Sequence, residues 1–380
     1  VIAPGAALGV LGGGQLGRMF VHAAQRLGYR CVVLDPDPDS PAGHVAERHV
    51  RADYLDQRAL DQLAGEADAV TIEFENVPAE ALRRLSDRVP VAPTANAVAV
   101  CQDRALEKAL FRRCGVPCAP HAVIDDEITL AAVPDALLPG ILKTAQLGYD
   151  GKGQRSVGDR NQLAVAWREL SSARCVLERR LQLDCEFSVV LARSARGDGV
   201  VSYPPFRNWH RDGILAVTQW PAPQLDAALA DAADAAARQI AQALDYVGVL
   251  CVEFFVDHDG VLYANEMAPR PHNSGHCTID ACDVSQFEWQ VRAMAGLPLP
   301  APRAHSNAVM LNLLGDLWRN GIAPDWRRVL ALPGARLHLY GKAQPRPGRK
   351  MGHLTLTAER ATAAETLARE AAQRLGLRAW

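Results

Sequence analysis

The sequence predicts an α/β fold, with a doubly wound parallel sheet at the amino terminus and mixed α+β structure after it. Three observations carry this. Short apolar runs alternate with amphipathic stretches through the first hundred residues, the pattern of parallel strands joined by helices. A glycine-rich turn, Val10-Leu11-Gly12-Gly13-Gly14-Gln15-Leu16-Gly17, stands where the first strand gives way to the first helix. At 380 residues the chain also exceeds one ordinary core, at roughly 100–200 residues per domain, and suggests two or three.

The elements follow in order. Residues 7–11, 31–34 and 69–72 are apolar and short enough for strands; residues 15–27 and 55–63 have helical periodicity. Gly28 closes the first helix, and Pro78 sits in the first turn of a helix over 79–85. Residues 95–114 read as one helix that Gly115 and Pro117 end. Strands are expected at 141–143, 175–177 and 187–191, and helices at 162–170 and 227–244, with a glycine-rich turn at 148–153. The proline-rich stretch 296–302 marks a boundary before a small mixed domain.

Composition narrows the class. With 49% hydrophobic and 22% charged residues the chain is globular, and a net charge of -2 offers no general attraction to nucleic acid or to an anionic membrane. Any anion site must be local. Nine cysteines, several inside apolar stretches, suit a reducing compartment, and Cys114 with Cys118 around Gly115 and Pro117 makes a poor zinc pair. No apolar run approaches the roughly 20 residues of a membrane span, and the start shows no basic region leading into an apolar one, so a cytoplasmic location is expected.

The densest chemistry lies at 265–276, where Asn265-Glu266-Met267-Ala268-Pro269-Arg270-Pro271-His272-Asn273-Ser274-Gly275-His276 packs a carboxylate, a guanidinium, amides and imidazoles between prolines. Upstream, 249–256 reads as a buried strand and Asp257-His258-Asp259-Gly260 as a hairpin turn. With Asp259 and Gly260 as the two central loop residues, Glu253 faces Glu266. Opposed side chains lie roughly 4.5–5.5 Å apart at Cβ, and like charges there need a positive partner. Magnesium, which takes one or two carboxylates and completes its shell with water and phosphate oxygens, is the simplest, so the hairpin predicts a nucleotide–metal site on Glu253 and Glu266. His272 and His276 have the spacing of a helical zinc pair, but Pro271 and Gly275 oppose a helix there.

Other segments add to this. Gly12, Gly14 and Gly17 satisfy G-x-G-x-x-G and Asp35 ends the second strand, which alone suggests a dinucleotide or another phosphate-bearing ligand. Lys143 precedes a glycine loop, Gly148-Tyr149-Asp150-Gly151-Lys152-Gly153-Gln154, able to close over polyphosphate. Glu73 and Glu75 follow a strand at its carboxyl end, where open α/β sheets bind ligands. Lys342, Arg349 and Lys350 form a basic cluster among Pro345, Pro347 and Gly348.

Taken in series, residues 12–18, 73–77, 148–154, 265–276, 340–342 and 349–353 resemble the 5-(carboxyamino)imidazole ribonucleotide synthetases, ATP-grasp ligases of purine biosynthesis. The resemblance spans nearly the whole chain. It implies an ATP-grasp fold: a ribonucleotide-binding domain over 1–100, an ATP-clamping α+β region over 101–300 with a lid at about 120–190, and a small carboxyl-terminal domain over 301–380. ATP and magnesium are the implied cofactors, and the family suggests a homodimer. Arg104, Lys143 and the 148–154 loop would lie near the phosphates, Glu178, Arg179, Arg180 and Leu181 would meet adenine, and Glu186 would hold the ribose with His210 nearby. Asn265 and Glu266 would border the phosphates. For the aminoimidazole ribonucleotide, similarity points to Gln15, Leu16 and Glu75 on one wall and Asn273, Lys342, Arg349 and Lys350 on the other. Gln146-Leu147 departs from the more basic, glycine-containing lid such a ligase would carry.

The implied reaction joins bicarbonate to the ring amine at the expense of ATP. Arg270, displayed by prolines, is the candidate for holding bicarbonate, since a planar guanidinium matches a planar oxyanion. His272 is the candidate for a proton transfer, and Lys143 for charge on the transferring phosphoryl group. The alternatives are a ligase that activates formate for glycinamide ribonucleotide, a nicotinamide-dependent dehydrogenase favoured only by the glycine motif and Asp35, and a non-catalytic nucleotide sensor.

Overall fold

Parallel strands form first along the chain, as the apolar alternation requires. In the computed structural model, which describes residues 1–148, 153–196, 199–223 and 225–380, β1 (Ala7–Leu11), α1 (Gln15–Arg26), β2 (Arg30–Leu34), β3 (Arg48–Val50), α2 (Gln57–Glu66) and β4 (Ala69–Ile72) build a sheet of order β3-β2-β1-β4. All its pairings are parallel. Both faces are covered, so β1 and β4 are buried throughout and apolar but for Thr71. Helix α1 packs on one face; α2 and α3 (Ala79–Ser86) pack on the other. Strand β3 was not expected, because Arg48-His49-Val50 is too short and polar to give a periodic signal.

The helix expected over 95–114 is two helices, α4 (Ala95–Cys101) and α5 (Arg104–Arg113). Asp103 breaks it: its carboxylate accepts from the backbone N–H groups of Ala105 and Leu106 and starts α5 afresh. A second sheet follows, from β5 (His121–Ile124), β6 (Gly140–Thr144), β7 (Gln154–Val157) and β8 (Cys175–Arg179) in the order β5-β8-β6-β7, all antiparallel. Helices α6 (Glu127–Ala131) and α7 (Arg160–Glu169) accompany it.

The third sheet has nine strands: β9 (Leu183–Arg193), β10 (Val200–Ser202), β11 (Phe206–Arg211), β12 (Ile214–Trp220), β13 (Gly248–Asp257), β14 (Leu262–Ala268), β15 (Asn307–Leu314), β16 (Ala335–Leu339) and β17 (Lys350–Ala358). Their order is β14-β13-β9-β11-β12-β15-β17-β16, with β10 also beside β9. Strand β15 pairs with β12, Val217 opposite Leu311, so the proline-rich stretch divides elements in sequence without dividing the sheet. Helix α8 (Ala227–Ala243) lays its alanines on β9 and β13. After the short α9 (Thr278–Ala281), helix α10 (Gln286–Ala295) joins the first and third sheets: Phe287, Val291 and Met294 enter the core around α1, while Gln290 donates to Thr71 Oγ1 and accepts from the Val249 N–H. Helices α11 (Arg327–Leu330) and α12 (Ala361–Leu375) complete the chain, α12 covering β15 and β17.

Candidate active site

The acidic hairpin forms with Glu253 opposite Glu266, as the turn chemistry predicts. It reaches that register by a different route. The Asp257 N–H donates to Val261 O and the Gly260 N–H to Asp257 O, so three residues, 258–260, make the loop, with Gly260 at φ +76°. Pairing then runs Val256 to Leu262 and Phe254 to Ala264, one residue out of the expected register. A β-bulge restores it, because the next pair is Glu253 with Glu266 and Asn265 is the extra residue. Two residues on the bulged strand now oppose one, so Asn265 and Glu266 together face Glu253.

Each acid has a cationic neighbour. Glu253, 9% exposed, lies 3.0 Å from His272 Nε2 and 3.9 Å from His210 Nε2. Burial pushes its carboxyl up, but His272 and then His210 outweigh this and hold it at about 2. Glu266 accepts from Arg104 Nη1 at 3.0 Å. His272 is fixed from behind by a polar chain: its Nδ1 meets Ser274 Oγ at 2.8 Å, Ser274 meets Ser188, and Asn208 links Ser188 to Thr218. Burial disfavours its charge, but Cys251 and Glu253 outweigh this and raise the imidazole above its ordinary value. His272 and Glu253 thus form a buried pair in which each favours the charged form of the other.

The second sheet contributes Lys143, whose Nζ donates to Glu178 Oε2 at 3.0 Å. Glu178 also meets Lys108 Nζ at 3.3 Å. Burial raises the Glu178 carboxyl, and the two lysines overcome it to leave about 2. Gly153 has φ +74°, and a Cβ there would stand 2.7 Å from Thr144 Oγ1, so the residue that leads into β7 beside β6 must be glycine. Tyr149, Asp150, Gly151 and Lys152 lie outside the described residues; Gly148, Gly153 and Gln154 flank that gap, Gln154 pairing with Lys143 across β6 and β7. The Arg179 and Arg180 N–H groups donate to Pro120 O and Pro139 O, which holds this crossing in place; their side chains are exposed and Leu181 is half-buried. Glu186 Oε2 lies 2.6 Å from His210 Nδ1. Burial opposes the His210 charge, but Glu186, Glu253 and Glu266 raise its pKa, so one imidazole senses both hairpin acids.

The amino-terminal wall is Glu75, whose Oε2 takes both Nε and Nη2 of Arg270 at 2.5 Å. Burial raises Glu75 and Arg270 reverses it, to about 2. Nη1 of Arg270 donates to Pro271 O at 3.1 Å, and a guanidinium still has N–H donors beyond these three contacts. The glycine turn is filled by the protein's own carboxylates. Glu73 accepts from the Gly17 N–H, and a Cβ on Gly14 would meet Glu73 Oε1 at 2.1 Å; Asp35 accepts from the Gly13 N–H at 2.7 Å and from Tyr54. With the Gly13 and Gly17 N–H groups bonded to these carboxylates and Asp35 engaged, the dinucleotide reading loses both its supports. The Leu16 side chain belongs to the core, which leaves its backbone, with half-buried Gln15, to meet a ligand.

Opposite stands Asn273, 7% exposed, whose amide oxygen and nitrogen are both buried without a partner. Lys342 donates to Lys350 O at 2.8 Å and Arg349 to Gln344 O at 2.8 Å, tying the basic loop together. The charge of Lys350 helps to lower both Glu75 and Glu253, and that of Lys342 works against the burial that leaves Glu73 raised, so the carboxyl-terminal loop faces the other two walls. Behind this loop Asp280, His338 and His353 bring possible ligand atoms within 4.8 Å of one another. The two rings stack at 13°, which sends their in-plane lone pairs side by side instead of to one point.

Glu107 and Lys108 were missed. Both are buried, 2% and 0% exposed, on the face of α5 that also carries Arg104. Charges at 103, 104, 107 and 108 were the available signal, but on a helix such a run normally marks the solvated face.

Three family models match: the ribonucleotide synthetase preATP-grasp domain over residues 6–102, the ATP-grasp domain over 109–287, and the phosphoribosylaminoimidazole carboxylase C-terminal domain over 308–367. The N5-carboxyaminoimidazole ribonucleotide synthase of Brucella melitensis is 46% identical over 358 residues, covering 93% of this chain and 96% of the relative. The chain belongs to the N5-carboxyaminoimidazole ribonucleotide synthase family. Solved structures of the synthase agree. That from Staphylococcus aureus complexed with ADP superposes with a TM-score of 0.90 at 34% identity, covering 97% of this chain and 98% of its own. That from Aspergillus clavatus in complex with ADP and 5-aminoimidazole ribonucleotide gives 0.89 at 34% identity, covering 98% of both. The fold is thus ATP-grasp between the two flanking domains of a synthase, as the series of motifs implied. No helix among the described residues is long and apolar enough to cross a membrane.

Proposed function

We propose that this chain is an ATP-dependent ligase that carboxylates 5-aminoimidazole ribonucleotide with bicarbonate, giving 5-(carboxyamino)imidazole ribonucleotide, ADP and phosphate. The observation that carries the reading is the meeting of three distant segments: Glu75 with Arg270, Glu253 with Glu266 across the bulge, and Lys350, whose charge reaches both Glu75 and Glu253. Phosphoryl transfer beside a second, anionic substrate needs such a convergence.

Bicarbonate is a poor electrophile. An oxygen of bicarbonate attacks the γ-phosphorus of ATP, the bond to the bridging oxygen breaks, and ADP leaves; carboxyphosphate remains. The ring amine then forms its bond to the carboxyl carbon, the carbon–oxygen bond to phosphate breaks, and the amine gives up a proton. Arg104 and Lys143 lie on the phosphate side and offset charge there. Glu178 orients the Lys143 ammonium, and the remaining N–H groups of Arg270 hold the planar bicarbonate between Glu75 and the hairpin. Asn273 and the Lys342–Lys350 loop take the ribonucleotide. His272, 3.0 Å from Glu253, orients that carboxylate and is the candidate for the proton transfer.

The donors of the bulge fit a hard divalent cation. Glu253 and Glu266 face one another, and the buried Asn265 Oδ1 beside them has no partner. Magnesium held there would supply neutralisation of charge on the phosphate oxygens. A role in purine synthesis supports a cytoplasmic location, and a homodimer is the assembly the family suggests. The test is ADP release with ATP, bicarbonate and aminoimidazole ribonucleotide omitted in turn. Release that requires all three is expected; release indifferent to bicarbonate, or driven by formate with glycinamide ribonucleotide, overturns the assignment.

A further inference from the structure

Strand β14 is an edge strand, and among the described residues its outer side meets only a single bridge, from Cys118 to Ala264. The preceding segment and α5 take that place. The Ala264 N–H donates to Pro117 O at 2.7 Å, Lys108 Nζ donates to Asn265 O at 2.7 Å, and the Met267 N–H donates to Glu107 Oε1 at 2.7 Å. Arg104, one turn earlier on the same face, reaches the Glu266 side chain. Three residues of one helix face thus grip three consecutive residues of the strand at its bulge. Glu107 and Lys108 do so while buried, where side-chain charges are costly unless they make such contacts.

We propose that Glu107, together with Lys108, is a positioning residue for the nucleotide-phosphate site: by taking up the main-chain groups on either side of Glu266, the pair fixes the bulge that sets Asn265 and Glu266 against Glu253. The inference rests on the proposed phosphate and metal role of that bulge. What Glu107 supplies is an acceptor oxygen for one N–H; its Oε2 has no partner. Burial pushes its carboxyl up to about 8, against the pull of Lys108 and Arg104, which agrees with a role that does not need the charge. A glutamine keeps the acceptor, an aspartate withdraws it by one methylene, and a leucine removes it.

Steady-state ADP release by the full chain, with ATP, magnesium and aminoimidazole ribonucleotide varied separately, tests this in Glu107→Gln, Glu107→Asp and Glu107→Leu, with Glu266→Gln as reference. Glu107→Leu should raise the magnesium activation constant and the KM for ATP about tenfold, as loss of a supporting contact behind metal ligands does. Glu107→Asp should fall between, the KM for ribonucleotide should stay within about twofold, and Glu107→Gln should match wild type. If Glu107→Leu does not fold, the contrast of Asp with Gln decides. The proposal is overturned if Asp and Gln behave alike, or if the constants for all substrates rise together. An unaltered magnesium dependence in Glu266→Gln would instead overturn the parent reading; a damaged Glu266→Gln beside an unaffected Glu107→Asp overturns this one alone.

Discussion

Glu178 bears two lysines on one buried carboxylate, Lys108 at 3.3 Å and Lys143 at 3.0 Å. Removing it leaves both ammonium groups buried without their counter-ion, so Glu178→Ala should lower unfolding free energy by about 3 kcal/mol, measured by urea titration. The pH dependence has a definite sign. The folded carboxyl lies at about 2, below its unfolded value, so its stabilisation is present above about pH 4.3 and is lost as pH falls toward 2. Glu107 runs the other way: its folded value is about 8, so the folded state holds the proton more tightly and stability falls as pH rises from about 4.3 to about 8. Glu107→Gln should remove that fall in thermal melts across the range; an unchanged slope would show that Glu107 does not titrate high. Sequence reading found Glu178 by resemblance and passed over Glu107 and Lys108. Nothing in a run of helical charges says that the face is turned inward; only the edge strand it covers makes the charges useful.

At the scale of elements, Asp-Gly was a sufficient signal for a hairpin but not for its loop length. The three-residue turn and the bulge displace the register in opposite senses, and together they return Glu253 to Glu266. The bulge itself leaves no mark in composition, because Asn265 is an ordinary strand residue until its neighbours fail to pair. Strands β1 and β4 were legible to the residue, being buried on both faces. The split of α4 from α5 was legible in Asp103, a good N-cap read as a helix interior. The loop between β16 and β17 bears on function: Lys342→Ala and Arg349→Ala should raise the KM for ribonucleotide about tenfold or more while that for ATP changes little. Equal rises in both constants would remove this loop from the substrate-phosphate site.

Across the whole molecule, the site exists because segments far apart in sequence share one framework. Helix α10 joins the first sheet to the third through Gln290, and the pairing of β12 with β15 carries the third sheet into the last eighty residues or so. The basic loop therefore faces the acidic hairpin across a continuous support, a relation that no local motif announces. The most direct test of the hairpin as the nucleotide–metal site is electron paramagnetic resonance of manganese, standing in for magnesium, titrated with ADP into wild type and Glu266→Gln. Wild type should take up the manganese–ADP complex and Glu266→Gln should bind it at least about tenfold more weakly; equal uptake by the two would contradict the assignment.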